Sequence, residues 1–407
     1  MLTKRTENAR LRRPSVVSAM LFIAACCIAR PAAAQDGVGP LWVQDSIKSQ
    51  VLGETRRLRI SLPMGYDRPH FADERFSVLI ALDAQWDLAF AATVANARAL
   101  AHDGSPAIPR LIIVGVETEI ERFRDTTPPV PNETRGGGAP AFLSFLQTEL
   151  RPYIAARYRT NSVTVLTGHS MTGLFATWAF GQAPDFLMGV IALSPSLPLE
   201  PVARQALDGI SVRKTPGRLF LAVGTEHHSM VKAAQSFAAE VKTRSAAGRE
   251  VEFQEIADAS HNNMATLGMV PGLRFIFRPV SLAGHQLERA GFEAGPAKLL
   301  EIFESTKEAY LRGARQLGLP ERLPLAFLRN CCQGGPKFAP FVLRACDEQI
   351  TSYPAVSSGY ECAADMQQRV GRSEEAATNY QRAIEAAQKA GDTATAERIA
   401  AKKNVDR

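Results

Sequence analysis

Between residues 42 and 278, apolar segments rich in β-branched residues alternate with stretches of helical periodicity. Segments that are apolar throughout, such as 111–116, are typical of parallel strands covered by helices on both faces. The first strands are joined by turns too short for a helix, so we expect them to pair antiparallel. The alternation predicts an α/β fold with a mostly parallel eight-stranded sheet, its strands at 42–47, 55–62, 77–82, 111–116, 162–166, 189–193, 218–223 and 250–256.

The pattern changes after Pro279. Strand signals end, and residues 296–317 and 356–403 are rich in Ala, Glu, Gln, Leu and Arg at helical spacing. The stretch 371–387 places four small or aromatic residues where the second half of a tetratricopeptide (TPR) unit has them, but one unit cannot form a solenoid. We therefore expect an α/β domain over 35–280 and an all-α region over 285–407 with a TPR-like helix pair, built on Gly371, Ala376, Tyr380 and Ala383.

The N-terminus has the three parts of a secretory signal. Basic residues lie between positions 4 and 13, an apolar stretch covers 16–29, and three alanines occupy 32–34. This predicts a signal peptide over 1–34 and a periplasmic or secreted protein. Two alternatives stay open: a retained membrane anchor, and acylation of Cys26, which follows a lipobox-like Ile23-Ala24-Ala25. Elsewhere no apolar run reaches the roughly 20 residues of a bilayer span, so no membrane span is predicted.

The net charge of +6 is concentrated in the export segment. Residues 1–34 contain six of the 47 basic and one of the 41 acidic residues, so the rest of the chain carries 41 basic and 40 acidic residues, a net charge of +1. A balance so close to neutral gives no basic face for nucleic acid. We expect no nucleic-acid partner.

Four of the six cysteines lie late in the chain, at Cys331, Cys332, Cys346 and Cys362. In an oxidising compartment such a cluster indicates one or two disulfides, whose pairing the sequence leaves open. A zinc site is the weaker alternative, because adjacent cysteines lack the usual two-residue spacer and no histidine lies nearby.

Residues 164–176, TVLTGHSMTGLFA, place one serine where an apolar strand turns into a helix. A hydroxyl on such a turn projects above the end of the sheet, and the helix behind it offers backbone N–H groups to a developing oxyanion. Ser170 is therefore the candidate nucleophile; the alternative is a serine that simply caps a helix. His169 is interpreted as a packing or orienting residue.

A serine nucleophile needs a base and an acid. In this strand order the acid and then the histidine should follow along the chain, on loops after later strands. The seventh strand leads into Glu226, and the eighth leads to His261. We predict His261 as the base and Glu226 as the acid, with Asp258 as the alternative acid. His227 and His228 are interpreted as residues of the pocket rim, with either one as a less favoured base.

An oxyanion hole requires two backbone N–H groups, one from the residue after the nucleophile and one from the loop after the third strand. These requirements select Met171 and Gln85. The alternative for the second loop is an ordinary turn around a buried Trp86.

In six segments, taken in order over about 230 residues, the chain resembles the putative-esterase (esterase D-like) family of α/β-hydrolases, which includes siderophore tri-lactone hydrolases. The resemblance implies an α/β-hydrolase fold and hydrolysis of an ester or thioester without a metal or organic cofactor. It places the nucleophile at Ser170 and the base at His261. The segments are SQVLGETRRLRISLPMGYD (49–67), VLIALDAQW (78–86), RFRDTTP (122–128), GHSMTGLFA (168–176), ALSPS (192–196) and LAVGTEHH (221–228).

The resemblance also implies a role near the pocket mouth for Arg122, Arg124 and Asp125, and we predict that Arg122, Arg124 and Trp86 contact substrate. One departure is Thr172, because the family usually has glycine there and a β-branched side chain crowds a tight turn. We expect this residue to open the turn slightly. The position of the acid varies in the family, and the helical C-terminal region lies outside the resemblance.

Together these features predict an exported serine esterase acting on a small-molecule ester. Two rivals stay open: a binding protein on a degenerate hydrolase scaffold whose helical tail recruits a protein partner, and an acyltransferase. The nature of the ester is not selected by any residue.

Overall fold

The computed structural model describes residues 40–102, 104–119, 121–244, 249–284, 287 and 290–405. The predicted export signal at 1–34, with Cys26, lies outside these residues. Within them, no helix combines the length and the apolar character needed to cross a bilayer.

The centre of the protein is an eight-stranded sheet with the order β1-β2-β4-β3-β5-β6-β7-β8. All eight predicted strands are present, and β1 and β2 are antiparallel to their neighbours while the other pairs are parallel, as the short opening turns predicted. β5 is longer than expected and continues to His169. The strands are β1 (Val43–Lys48), β2 (Thr55–Ser61), β3 (Phe76–Leu82), β4 (Leu111–Val116), β5 (Thr160–His169), β6 (Gly189–Leu193), β7 (Gly217–Val223) and β8 (Arg249–Glu255).

Helices follow most strands, and an all-helical segment ends the chain. A π-helical turn, Phe145–Leu150, joins the third and fourth helices. The helices are α1 (Asp87–Ala101), α2 (Arg122–Thr126), α3 (Ala139–Ser144), α4 (Arg151–Arg157), α5 (Met171–Gln182), α6 (Glu200–Val212), α7 (His228–Arg244), α8 (Met264–Leu267), α9 (Met269–Phe277), α10 (Pro296–Leu317), α11 (Leu325–Asn330), α12 (Ala339–Ser352), α13 (Ser357–Arg369), α14 (Ser373–Lys389) and α15 (Thr393–Val405).

Both faces of the sheet are buried, because alternate side chains of each central strand pack into different cores. Val78 and Ile80 of β3 pack with helices α3 to α7 on one face. Leu79 and Ala81 pack with α1 and α9 on the other. This three-layer arrangement brings the carboxyl ends of β3 to β8 to one edge of the sheet.

The C-terminal helices share the core that contains α1 and α9. Phe303 of α10 is fully buried there and stacks on Phe327 at 6.4 Å, and both belong to the same hydrophobic cluster as Leu79. Burial of aromatic side chains at such a seam stabilises both partners. Helices α10 to α13 thus share a core with one face of the sheet, while the division of the chain near 280 stays a prediction.

The predicted TPR-like pair lies at the end of the chain. Gly371, at φ +81°, forms the turn between α13 and α14. Ala376, Tyr380 and Ala383 are buried between helices with Ile399 of α15, in a small cluster of their own. The residues singled out from the sequence therefore make helix-to-helix contacts.

Three of the four late cysteines come together, and the fourth does not. Cys362 lies next to both Cys332 and Cys346, at Cα–Cα distances of 5.9 and 6.2 Å that suit a disulfide with either one. Cys331 is a free, buried thiol. The alternative of two simultaneous disulfides is therefore wrong, since one sulfur cannot hold two partners.

Candidate active site

Ser170 is the single residue between the end of β5 and the start of α5, and its backbone has φ 60° and ψ −117°. Such a conformation is strained for a residue with a side chain and persists only where its surroundings enforce it. One constraint is the close approach at Gly168, where a Cβ would lie 2.3 Å from the carbonyl oxygen of Thr172. Another is the hydrogen bond from Ser170 N to the carbonyl oxygen of Leu193, at 2.9 Å.

The Ser170 hydroxyl is connected to an imidazole and a carboxylate. Its Oγ lies 3.1 Å from Nε2 of His261, and Nδ1 of His261 lies 3.1 Å from Oε2 of Glu226. The three residues are 91 and 35 positions apart along the chain. This order of groups allows the imidazole to take a proton from the hydroxyl while the carboxylate stabilises the resulting imidazolium.

The loops after β7 and β8 are held together by backbone contacts. A Cβ at Gly224 would lie 2.2 Å from the carbonyl oxygen of Ala259, and the N–H of Thr225 donates to the same oxygen at 2.5 Å. Glu226 is 2% exposed at its side chain, whereas His261 is 40% exposed. The carboxylate is thus shielded from water and the imidazole faces the open edge of the sheet.

The Glu226 carboxylate has two further donors on its other oxygen. Gly224 N donates to Oε1 at 3.3 Å, and the hydroxyl of Ser194 donates to the same atom. Asp258, the alternative acid, is exposed. The carboxylate bonded to the His261 imidazole is therefore that of Glu226.

His169 contacts the loop that carries His261. Its Nε2 lies 2.7 Å from the carbonyl oxygen of His261, which assigns the ring proton to Nε2, and the two rings are 4.7 Å apart. Burial, followed by the nearby His261, lowers the pKa of His169 to about 4. His169 is therefore a neutral donor near pH 7, in keeping with its predicted orienting role.

Asp83 connects the loop after β3 to the turn at Ser170. This residue is 4% exposed and has φ +60°. Arg122 donates to both carboxylate oxygens at 2.9 Å, and the hydroxyl groups of Thr172 and Thr118 also donate to this carboxylate. A buried carboxylate needs such compensation for its lost hydration.

Thr172 is buried at the turn, and the expectation that its bulk opens the turn slightly stays a prediction. Its side chain is fully buried, and its Oγ1 lies 2.8 Å from Asp83 Oδ2 and accepts from His169 N at 2.8 Å. The methyl group is accommodated while the hydroxyl joins the two loops. Ser170 retains its positive φ.

Comparisons with known proteins decide the family. The profile of the family described as "Putative esterase" matches residues 49–261, slightly more than half of the chain. The chain belongs to the putative-esterase family. It is 29% identical over 198 residues to ferri-bacillibactin esterase BesA of Bacillus subtilis, a match that covers 42% of this chain and 68% of that protein.

One further relative and one solved structure are similar to the chain. Siderophore triacetylfusarinine C esterase of Aspergillus fumigatus is 29% identical over 158 residues, which cover 36% of this chain and 52% of that protein. The crystal structure of an IroE-like serine hydrolase from Shewanella oneidensis has the same fold, with a TM-score of 0.59 and 21% identity over 82% of this chain and 98% of that one. The protein is an esterase with an α/β-hydrolase fold.

The predicted oxyanion donors of this esterase lie on the two loops that Asp83 and Thr172 connect. Met171 is the first residue of α5, and Gln85 follows Asp83. In the part of the chain that the structure describes, neither backbone N–H has a hydrogen-bond acceptor. The Gln85 side chain instead accepts from Thr118 N at 3.1 Å, which anchors the loop.

The three predicted substrate-binding residues have different surroundings. Trp86 is 42% exposed rather than buried, and its ring lies 6.1 Å from that of His169 and 5.1 Å from the guanidinium of Arg122. Arg122 also donates to the carbonyl oxygen of His169 at 3.0 Å. Arg124 is paired with Glu54 and Asp125 at 2.7 and 2.8 Å. A substrate contact for each of these residues stays a prediction.

Two serines at the site and the role of Asp83 were not predicted from the sequence. Ser194 donates to Glu226, and Ser196 Oγ lies 3.3 Å from Ser170 Oγ. Both belong to the ALSPS segment after β6, and Asp83 belongs to the LDAQW segment after β3. These segments carried the family resemblance, which was the available signal.

An apolar rim, defined here as Trp86, Leu88, Phe123, Leu199 and Leu267, lies on loops and short helices at the carboxyl edge of the sheet. Each of these side chains is at least 41% exposed, and Leu88 is 87% exposed. They follow β3, β4, β6 and β8, the same edge that carries Ser170. Exposed apolar side chains on the elements that follow these strands are available to contact an apolar part of a ligand.

Proposed function

We propose that this esterase is an exported serine hydrolase that cleaves a small-molecule carboxylic ester through an acyl-enzyme intermediate. The observation that supports it is the Ser170–His261–Glu226 series, with two contacts of 3.1 Å at the carboxyl edge of the sheet. A hydroxyl, an imidazole and a shielded carboxylate in this order are the groups that acyl transfer requires.

In the first half-reaction, Ser170 Oγ attacks the carbonyl carbon while His261 Nε2 takes the hydroxyl proton. The oxyanion accepts hydrogen bonds from the N–H groups of Met171 and Gln85. The C–O bond then breaks, and His261 returns the proton to the leaving alcohol. Water repeats the sequence on the acyl-Ser170 ester, which releases the carboxylic acid and restores the hydroxyl.

The substrate that the site favours has a substantial apolar or aromatic part. The apolar rim around the mouth would contact such a group, and Trp86 offers the largest exposed ring in it. Two relatives are named for siderophore esters. A siderophore lactone is therefore the first natural substrate to test, beside chromogenic esters of increasing acyl length.

A fluorophosphonate probe tests the nucleophile. We expect stoichiometric labelling of the purified protein at Ser170, and loss of labelling and of ester hydrolysis in Ser170→Ala. Ser196→Ala is the matched control, because its hydroxyl lies 3.3 Å from that of Ser170 but has no hydrogen bond to an imidazole among the described residues. Absence of labelling in folded wild-type protein would favour the binding-protein rival, and acyl capture by an added alcohol in preference to water would favour the transferase.

Export is proposed from the N-terminal pattern alone. Mass measurement of the mature N-terminus after expression in a Gram-negative host tests it. Cleavage before Gln35 is the expected result. A mature protein that begins at a lipid-modified Cys26 would instead be a lipoprotein.

A further inference from the structure

The cysteine cluster of Cys332, Cys346 and Cys362 lies among α11, α12 and α13, in the helical region. Cα–Cα distances from Cys362 are 5.9 Å to Cys332 and 6.2 Å to Cys346, and both lie within the range of ordinary disulfides. Sγ of Cys332 lies 3.9 Å from Sγ of Cys346. Cys362 can therefore pair with either neighbour, and each pairing leaves one thiol next to the bond.

The three sulfurs differ in their access to solvent. Cys332 is partly exposed, Cys362 is 8% exposed and Cys346 is fully buried. Cys332 and Cys362 line a cavity of about 170 Å³, whereas Cys346 does not. The shared cysteine thus lies between a sulfur that a small molecule can reach and one that it cannot.

The cavity also has groups that favour thiol chemistry. Arg329 and Arg369 line it, and neighbouring cations favour the thiolate, which is the form that attacks disulfides. Its two carboxylates are paired elsewhere, Glu361 with Arg398 and Asp365 with Lys402.

Cys331 provides an internal contrast. It is adjacent to Cys332 in sequence but 4% exposed and outside the cluster, and burial raises its pKa to about 12. A buried thiol of this kind is inert. The reactivity of each cysteine in this region therefore depends on where its sulfur lies and not on the number of cysteines nearby.

We propose that Cys332, Cys362 and Cys346 form a thiol–disulfide relay that is oxidised by a small organic disulfide entering the 170 Å³ cavity. The Cys332 thiolate attacks one sulfur of that disulfide, forms a mixed disulfide and expels a thiolate. The Cys362 thiolate then attacks the Cys332 sulfur, which forms Cys332–Cys362 and releases the second thiol.

In the last step, the Cys346 thiolate attacks the Cys362 sulfur. The bond moves to Cys346–Cys362, and Cys332 is returned as a thiolate. In sum, the external disulfide gains two electrons and two protons and becomes two thiols, while Cys346 and Cys362 lose them. The relay thereby transfers a disulfide from the surface to the core of the helical region.

The test uses the full chain, reduced, freed of reductant and mixed with one equivalent of hydroxyethyl disulfide. Samples are quenched with acid, alkylated and mapped by mass spectrometry. We expect a mixed disulfide on Cys332 first, then Cys332–Cys362, then Cys346–Cys362, with both pairings present at equilibrium. Cys346→Ser should stop at Cys332–Cys362, and Cys332→Ser should form Cys346–Cys362 about tenfold more slowly, because the exposed attacking sulfur is gone.

Cys331→Ser is the matched control and should leave the order and rates unchanged. Native circular dichroism of every variant accompanies the mapping. The relay is wrong if the wild-type chain forms only one of the two disulfides and the variant that cannot form that disulfide keeps its two remaining cluster thiols free. It is also wrong if Cys331 enters disulfides as often as the other three cysteines. The relay would also be overturned by a stoichiometric zinc ion that blocks all three thiols until a chelator removes the metal.

Discussion

The hydroxyl group of Thr172 lies 2.8 Å from the buried carboxylate of Asp83. This contact joins the first turn of α5, which begins next to Ser170, to the loop that carries Gln85. Together with Arg122, which donates to Asp83 and to the carbonyl oxygen of His169, it links the loops that carry the two proposed oxyanion donors. Positioning errors of a fraction of an ångström are costly in such a site.

Replacement of Thr172 by valine should destabilise the protein while retaining its shape. The loss of the hydroxyl leaves Asp83 and the N–H of His169 each without one partner, which costs about 1–3 kcal/mol of unfolding free energy. Urea denaturation measures this change in the free energy of unfolding. Thr172→Ser keeps the hydroxyl and should remain within about 1 kcal/mol of wild type. A loss in Thr172→Ser that exceeds the loss in Thr172→Val would show that packing of the methyl group matters more than the hydrogen bond.

Replacement of Glu226 by glutamine should lower kcat by a factor of about 10²–10⁴, because an amide no longer stabilises the imidazolium and favours the wrong tautomer of His261. KM should change little. Asp258→Asn is the control and should stay within about twofold, since this exposed carboxylate is not bonded to the imidazole. A larger loss in the Asp258 variant would transfer the acid role to that residue.

The buried His169 should make stability depend on pH in the acid range. Its folded pKa of about 4 lies below the value of 6.5 for a free imidazole, so the unfolded chain binds more protons between these values. Stability is therefore lost as the pH falls from about 6.5 towards 4, by roughly 3 kcal/mol from this group. His169→Gln retains a donor for the His261 carbonyl but does not titrate, so its unfolding free energy should fall less over the same window. Identical pH profiles for the two proteins would contradict this assignment.

The C-terminal helices should unfold together with the catalytic sheet. Phe303→Ala removes a fully buried ring from the shared core, and we expect a loss of about 3–5 kcal/mol. Esterase activity and helical signal should disappear in one transition at a lower temperature. Val212→Ala, at a side chain that is 75% exposed, is the control and should have little effect. Melting of the helices while activity persists would indicate an independent tail.

The apolar rim should act on substrate binding. Trp86→Ala is expected to raise KM for p-nitrophenyl butyrate about fivefold, the equivalent of about 1 kcal/mol of lost apolar contact, with kcat nearly unchanged. Val212→Ala again serves as the control, because Val212 ends α6 at the opposite edge of the sheet. An unchanged KM would remove Trp86 from the substrate contacts.

Much of the fold could be predicted because it depends on local patterns. The period of apolar residues and the lengths of the turns are properties of short segments, and they located all eight strands and the antiparallel opening. The end of β5 was less accurate. Thr167 and Gly168 resemble turn residues, but they pair with β6 and extend the strand to His169.

The order of sheet and helices could be predicted from the amino-acid sequence, as could the turn at Ser170 and the loops on which its partners lie. Each of these features depends on neighbouring residues. Four other features became visible in the folded chain alone: Glu226 and not Asp258 bonds to His261, Asp83 joins two loops, Cys362 lies next to two cysteines, and α10 and α11 share a core with α1 and α9. These are contacts between residues far apart in the chain, and their geometry depends on how whole elements pack rather than on any local pattern.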